Sequence, residues 1–319
     1  MGAGRQAARR GSAAGIRGAG HSNGLHMAAA LNPVVDAMLA VRDQQLHIRQ
    51  WPGARRAVVL VHGLASNCMT WEATACALHA AGHAVVSVDQ RGHGRSSKPG
   101  SGYGFDEMTA DLLELLQQLG IYRPIVAGQS WGGNVVLDLA ARHPAAVAGV
   151  VLVDGGFIDL QSKPGATWES ISAQLTPPAL AGIPRAAMQA HLQQAHASWS
   201  AAGVQHQLAN FETLADGTIR PWLTLERHML ILRALWEQRV SQLYPLVTAP
   251  VLLLAATSAA EDAQRLAQKR AEVAAAGAML RSCQVHWFAD THHDIHVQRP
   301  QETAALVLQA LTTGFFAAE

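Results

Sequence analysis

Apolar positions along the chain fall into two rhythms. Short apolar runs, Ala57–Val61, Ala84–Val88 (broken only by Ser87), Ile125–Ala127, Val147–Val153 and Val251–Ala255, read as strands, the continuous Ala57–Val61 as one buried on both faces. Between them apolar residues recur at helical spacing. Trp71 to Ala81 forms one such stretch, closed by Gly82, and Met108, Leu112, Leu115 and Leu119 mark a second, ended by Gly120. Others run from Asn134 to about Arg142, from Asp262 to Ala276, and from Pro300 to Phe316. Leu46–Trp51 reads as an edge strand before a Pro52-Gly53 turn, and Val285–Phe288 as a last short strand. Strands alternating with helices predict an α/β fold, a mostly parallel central sheet with helices on both faces.

The rhythm breaks between Phe157 and Tyr244. This stretch carries Pro164, Pro177, Pro178, Pro184 and Pro221, with helical patterns over Arg185–Ser198 and Leu225–Gln242. It predicts a mainly helical lid, residues 157–245, inserted between core segments 31–156 and 246–319. Trp168, Trp199, Phe211, Trp222 and Trp236 are spread through it. Most of these aromatics are expected to pack inside the lid, with cavity lining the rarer role. Residues 1–30 hold Gly, Ala, Arg and Ser with no acidic side chain. Such a composition cannot bury enough apolar surface to offset its ordering entropy, so a disordered tail is expected. A true start at Met27 accounts for it more simply than a transit peptide.

Composition narrows the class. Of 319 residues 49% are apolar and 15% charged, with a formal net charge of +1. No global field therefore argues for nucleic acid or an anionic membrane. No run of about 18 apolar residues predicts a membrane span. Cys68, Cys76 and Cys283 form no C-x-x-C pair. An odd number of cysteines in a chain of this size reads as reduced thiols in the cytoplasm.

The stretch with the most chemistry in it is Ile125-Val126-Ala127-Gly128-Gln129-Ser130-Trp131-Gly132-Gly133. A strand runs into Gly-x-Ser-x-Gly and then a helix, the context of a nucleophile elbow. Glycines flanking the serine spare the turn a side chain that would crowd it. The backbone N–H of Trp131 then lies at a helix start, where partial positive charge favours a developing oxyanion.

Taken in order, His62-Gly63, Asp89-x-Arg91-Gly92-His93-Gly94, Gly128-x-Ser130-x-Gly132, Ala249-Pro250-Val251-Leu252-Leu253-Leu254 and His293 upstream of Pro300 resemble the lidded serine members of the α/β-hydrolase fold, the esterase- and lipase-like branch. The likeness spans about Val41 to Phe316. It implies Ser130 as nucleophile, His293 as general base, and the amides of Leu64 and Trp131 as oxyanion donors. His292 and His296 are close rivals for the base, and a metal site made of the three histidines is the competing reading. His62, Asp89, Arg91 and His93 read as scaffolding. The common acid position of the family falls on Ala259, so the carboxylate must come from elsewhere. Asp154, ending the preceding strand, is favoured over Glu261 or Asp262. A serine rather than an aspartate at the elbow disfavours the alkyl-ester chemistry of epoxide hydrolases and dehalogenases. The expected activity is hydrolysis of a small or medium apolar ester, thioester or lactone, with no cofactor and no partner beyond that substrate. Carbon–carbon hydrolysis, acyl transfer or lyase chemistry on the same triad, or a non-catalytic ligand-binding role, are the alternatives.

Overall fold

The computed structural model describes residues 34–258 and 261–316. The predicted tail and Ala259 lie outside them. Strands β1 (Val35–Val41), β2 (Gln44–Trp51) and β3 (Arg55–Val61) lead to helix α1 (Glu72–Ala80) and β4 (His83–Val88). Helix α2 (Phe105–Gln118), β5 (Ile125–Gln129), α3 (Trp131–Arg142) and β6 (Gly149–Val153) follow. After an inserted segment come β9 (Val251–Ala256), α9 (Ala263–Met279), β10 (Cys283–Phe288), α10 (Ile295–Gln298) and α11 (Pro300–Thr312). The insertion itself holds α4 (Trp168–Leu175), α5 (Arg185–Ala195), α6 (Ala201–Leu208), β7 (Phe211–Thr213), β8 (Ile219–Pro221), α7 (Leu225–Glu237) and α8 (Val240–Leu243).

Eight strands form one sheet in the order β1-β2-β4-β3-β5-β6-β9-β10. From β4 to β10 every pairing is parallel, and β2 pairs antiparallel with both its neighbours. The unbroken apolar runs explain themselves here, because alternate residues of each strand enter different cores. Val59, Val61, Val126, Leu152 and Leu253 pack on the α2–α3–α9 side. Val58, Leu60, Ile125, Val151 and Leu254 pack against α1 and α11. A strand buried on both faces has no polar phase to show.

Several boundaries differ from the periodicity. The sheet's edge is β1, so Leu46–Trp51 belongs to an interior strand rather than an edge. β1 escapes the pattern because its apolar run, Ala37–Val41, is rich in Ala, Met and Leu rather than β-branched residues, and most of its positions are exposed or half-buried at the sheet's edge. The helix after Ser130 begins at Trp131, three residues before the expected start at Asn134. The stretch 225–242 is two helices, since Gln238 turns extended at ψ 132°. The stretch 185–198 is helical only to Ala195. The last helix stops at Thr312, before Gly314 at φ +74°.

The insertion carries a two-stranded hairpin besides its helices. It splits its allegiance. Ile171, Ile231, Leu232 and Leu235 join the large core beside the sheet. Met188, Leu192, Trp199, Val204, Leu208 and Ile219 form a small core with Val297. Polar ties hold it to the sheet's carboxyl edge. Asn134 donates to the Ile158 carbonyl and to Gln238, and accepts the Gly156 N–H, all within 2.9 Å. Arg227 donates to the carbonyls of Lys98 and Pro99. No helix among the described residues is long and apolar enough to cross a membrane.

Candidate active site

Ser130 stands at the end of β5 in a conformation that L-residues avoid, φ +53° and ψ −123°. Strain of this kind persists only where the surroundings over-determine it. Here its N–H donates to the Val153 carbonyl, and its own carbonyl accepts the Gly133 N–H, both at 2.9 Å. The flanking glycine has a direct steric reason: a Cβ on Gly132 would stand 2.4 Å from the His62 carbonyl oxygen. Gly155, after β6, is constrained likewise, since a Cβ there would lie 2.1 Å from the Ser130 carbonyl oxygen. The turn that carries Asp154 is therefore packed directly on the serine's backbone.

Asp154 is left-handed at φ +43°, and its side chain is 1% exposed. Oδ1 accepts the Ala256 N–H at 3.0 Å, and Oδ2 accepts Nδ1–H of His293 at 2.7 Å. Burial alone would raise the Asp154 carboxyl, but the bond to His293, that ring's charge, and the Lys269 ammonium together hold it below the usual value. The His293 side chain is 50% exposed. Burial would lower its ring, yet the Asp154 carboxylate outweighs that effect and raises it.

The two loop acids are engaged elsewhere. Glu261 pairs with Lys269 at 3.2 Å. Asp262 caps α9, Oδ1 accepting the Arg265 N–H at 2.9 Å. The three neighbouring histidines do not gather around one point. His292 meets His196 edge-on at 5.8 Å. His296 is fully buried over Trp71, at 4.2 Å between centroids, and burial pushes it down to about 3.

The His293 loop is tied to the end of β9, Thr291 N–H donating to the Thr257 carbonyl and Thr257 N–H to that of Phe288, each at 2.9 Å. The Ser130 hydroxyl makes no hydrogen bond to His293 among the described residues. Such bonds are commonly long until substrate closes the site.

Trp131, as the first residue of α3, offers its N–H beyond the helix. The Leu64 amide lies in the loop after β3. That loop is braced by His93, whose Nε2 accepts the Ala65 N–H at 3.2 Å and whose ring stacks on Trp131 at 5.4 Å. His62 accepts the Gln90 N–H at 3.1 Å, and Arg91 grips Asp111 with two bonds of 2.6 Å. These side chains hold loops, as their sequence pattern suggests.

Leu64, Ser130, Trp131, Asp154 and His293 all line one cavity of about 590 Å³. Leu160, Leu175, Leu232 and Leu235 give it an aliphatic wall. None of the aromatics at 168, 199, 211, 222 and 236 lines it. Trp168 packs against Trp236, Trp199 stacks on His196, and Trp222 lies under the Lys98 ammonium. What sequence reasoning missed is a polar stripe of α9 in the cavity wall, Arg265, Gln268, Lys269 and Glu272. Its spacing of i, i+3, i+4 and i+7 was the available signal.

A model of the alpha/beta hydrolase fold matches residues 56–258, from β3 past β9. Epoxide hydrolase B of Mycobacterium tuberculosis (strain ATCC 25618 / H37Rv) is 40% identical over 102 residues, 31% of this chain and 29% of that protein. A putative non-heme haloperoxidase of Mycobacterium phage D29 is 38% identical over 102 residues, 32% of this chain and 37% of that protein. A putative carbamate hydrolase of Variovorax paradoxus (strain S110) is 38% identical over 116 residues, 36% of this chain and 42% of that protein. The matches thus span less than half the length of these relatives. Among solved structures, E-2-(acetamidomethylene)succinate hydrolase superposes with a TM-score of 0.71 at 22% identity, over 87% of this chain and 98% of that one. A thioesterase domain from the curacin biosynthetic pathway gives 0.69 at 20%, over 87% and 100%. At these identities the likeness is one of fold.

Proposed function

The chain belongs to the α/β-hydrolase fold family, and on that premise we propose that it is a serine hydrolase cleaving an ester, thioester or lactone of an apolar acyl group. The observation that carries this reading is the 2.7 Å bond between His293 and buried Asp154, in a cavity that Ser130 also lines. In the proposed cycle Ser130 Oγ attacks the acyl carbon while Nε2 of His293 takes its proton. Asp154 holds Nδ1–H and stabilises the imidazolium. The amides of Leu64 and Trp131 receive the oxyanion. The tetrahedral adduct collapses, His293 returns the proton to the leaving oxygen or sulfur, and water then repeats the sequence to release the acid. No step calls for a cofactor.

Support for an apolar acyl group comes from the aliphatic wall, and for small or medium size from the cavity volume. Residues 157–245 serve as the lid, supplying Leu160, Leu175, Leu232 and Leu235 to that wall. The relatives named for epoxide and carbamate hydrolysis differ in reaction, which the shared fold permits. A serine at 130 favours acyl over epoxide chemistry. The test is covalent. A fluorophosphonate probe should label Ser130, and Ser130→Ala should lose labelling together with turnover of a p-nitrophenyl ester, by roughly 10³-fold or more. Undiminished turnover in that variant would end the reading.

A further inference from the structure

Lys269 holds an unusual post. It stands in the middle of the polar stripe that α9 turns toward the cavity, and its side chain is 18% exposed. Nζ lies 3.4 Å from Oδ2 of Asp154, the same oxygen that accepts Nδ1–H of His293. It also donates to the Ala256 carbonyl at 3.1 Å and pairs with Glu261 at 3.2 Å. An ammonium withdrawn this far from water needs such partners to offset its desolvation. Their arrangement has a consequence for the ring beyond them.

We propose that Lys269 is a positioning residue for the hydrolytic reaction, holding Asp154 and moderating the basicity of His293, while Glu261 anchors the lysine and tempers its charge. The inference rests on the acyl-enzyme reading and deepens it. A carboxylate shared between an imidazole and an ammonium is a weaker partner for the imidazole than one given to it alone. The charge order along this line is His293, Asp154, Lys269, Glu261, alternating at each contact. Removing the lysine leaves two carboxylates on the histidine's side with nothing between them. Removing Glu261 leaves the ammonium less compensated. The two changes therefore push the ring in opposite directions.

Other charged groups act on this ring, and the variants leave them in place. Asp294 raises His293 and Lys269 lowers it. His196 and His292 bear on Asp294 in turn. His296, neutral in its buried site, adds no charge near neutral pH. A histidine governed only by Asp154 and Asp294 would be more basic than the present one.

The experiment uses the full chain and follows the rate of Ser130 labelling by a fluorophosphonate from pH 5 to 9. In Lys269→Met the midpoint of the rate–pH curve should move up by about half to one unit, and in Glu261→Gln it should move down by a few tenths. Lys269→Arg, which keeps the charge, should restore most of the parent midpoint. A lysine that merely braced its loop would cut rates in both variants without shifting midpoints in opposite senses. Unmoved midpoints, or shifts of the same sign, overturn the inference. If thermal melting shows Lys269→Met unfolded, Glu261→Gln decides alone: a downward shift supports, no shift or an upward one refutes. Failure of the parent itself to label at Ser130 sinks the acyl-enzyme reading instead, so the two failures are told apart.

Discussion

Two aspartate–histidine pairs, each built on a buried aspartate, stand at the carboxyl edge of the same sheet. Asp154 follows β6 and holds His293 at 2.7 Å; Asp89 follows β4 and holds His47 at 2.8 Å. In chemistry the pairs are alike, yet their surroundings divide them. His47 is enclosed, 2% exposed, and its Nε2 meets Asp36 at 2.9 Å. Asp89 is saturated as well, accepting the backbone N–H of Cys68 at 2.7 Å and of Arg95 at 2.9 Å. His293 keeps one ring nitrogen without a hydrogen bond among the described residues, and its ring faces a cavity. A carboxylate on an imidazole is thus no site by itself. Whether it can do chemistry depends on a second nitrogen with nothing bound to it and room for a substrate.

The same contrast covers Cys68. His47, Cys68 and Asp89 bring their ligand atoms within 4.8 Å of one another. Burial and the Asp89 charge push the Cys68 thiol well above its usual value, so it is no thiolate. The trio braces the turn after β4.

Removing the acid from each pair should separate the two roles most sharply. Asp154→Asn should lower kcat on a p-nitrophenyl ester by about 10⁴-fold, because the amide no longer holds the imidazolium and favours the wrong tautomer. Its fold should survive, as circular dichroism would record. Asp89→Asn should do the reverse. It strips charge-assisted bonds from a buried loop and should cost about 2–4 kcal/mol in chemical denaturation, with kcat of the folded protein changed only a few-fold. A large kcat loss in Asp89→Asn at intact stability would break the comparison.

Acid titration sharpens it further. Burial would raise Asp89, but the His47 bond, the His62 charge and the N–H groups of Arg95 and Cys68 hold its carboxyl far below the usual range. A group lowered on folding stabilises the native state above its unfolded value, near 3.9, and that contribution is lost as pH falls toward the folded value. The gap in melting temperature between the parent and Asp89→Asn should therefore be widest near neutrality and close below about pH 4. A gap independent of pH would assign the loss to packing. For His293 the sign is opposite. Its folded value is raised, so its contribution to stability is complete below about 6.5 and is lost as pH climbs through that higher value. The ester rate, which needs the neutral ring, should climb through a midpoint above about 6.5. A midpoint well below that would mean His293 is not the base.

The smallest expected effect concerns the turn carrying Asp154. The Tyr244 hydroxyl donates to the Gly156 carbonyl at 3.2 Å. Tyr244→Phe should cost about 1 kcal/mol of stability and leave the rate nearly unchanged. A rate loss beyond tenfold would show that this turn needs the bond to hold Asp154 in place.

What the chain's order determined by itself is what depends on neighbours along it. Continuous apolar runs in 57–61 and 251–255 specify strands that must be covered twice, and the alternation with helical stripes specifies the layers. Gly128 and Gly132 around Ser130 specify a turn tight enough to need them. Where burial does not follow the local pattern the sequence is mute, as at β1, whose apolar residues Ala37–Val41 are mostly exposed or half-buried, and in the insertion, whose helices break at Gln238. Which carboxylate faces His293 is a question of another kind. Asp154, Glu261 and Asp262 are chemically alike, and their separations from His293 along the chain say little about distance in space. The tertiary structure decided it, because parallel crossovers bring the end of β6 and the loop after β10 to one edge, while α9 turns Lys269 toward Glu261 and caps itself with Asp262. Local patterns set which elements form; only packing sets which side chains meet across a hundred residues.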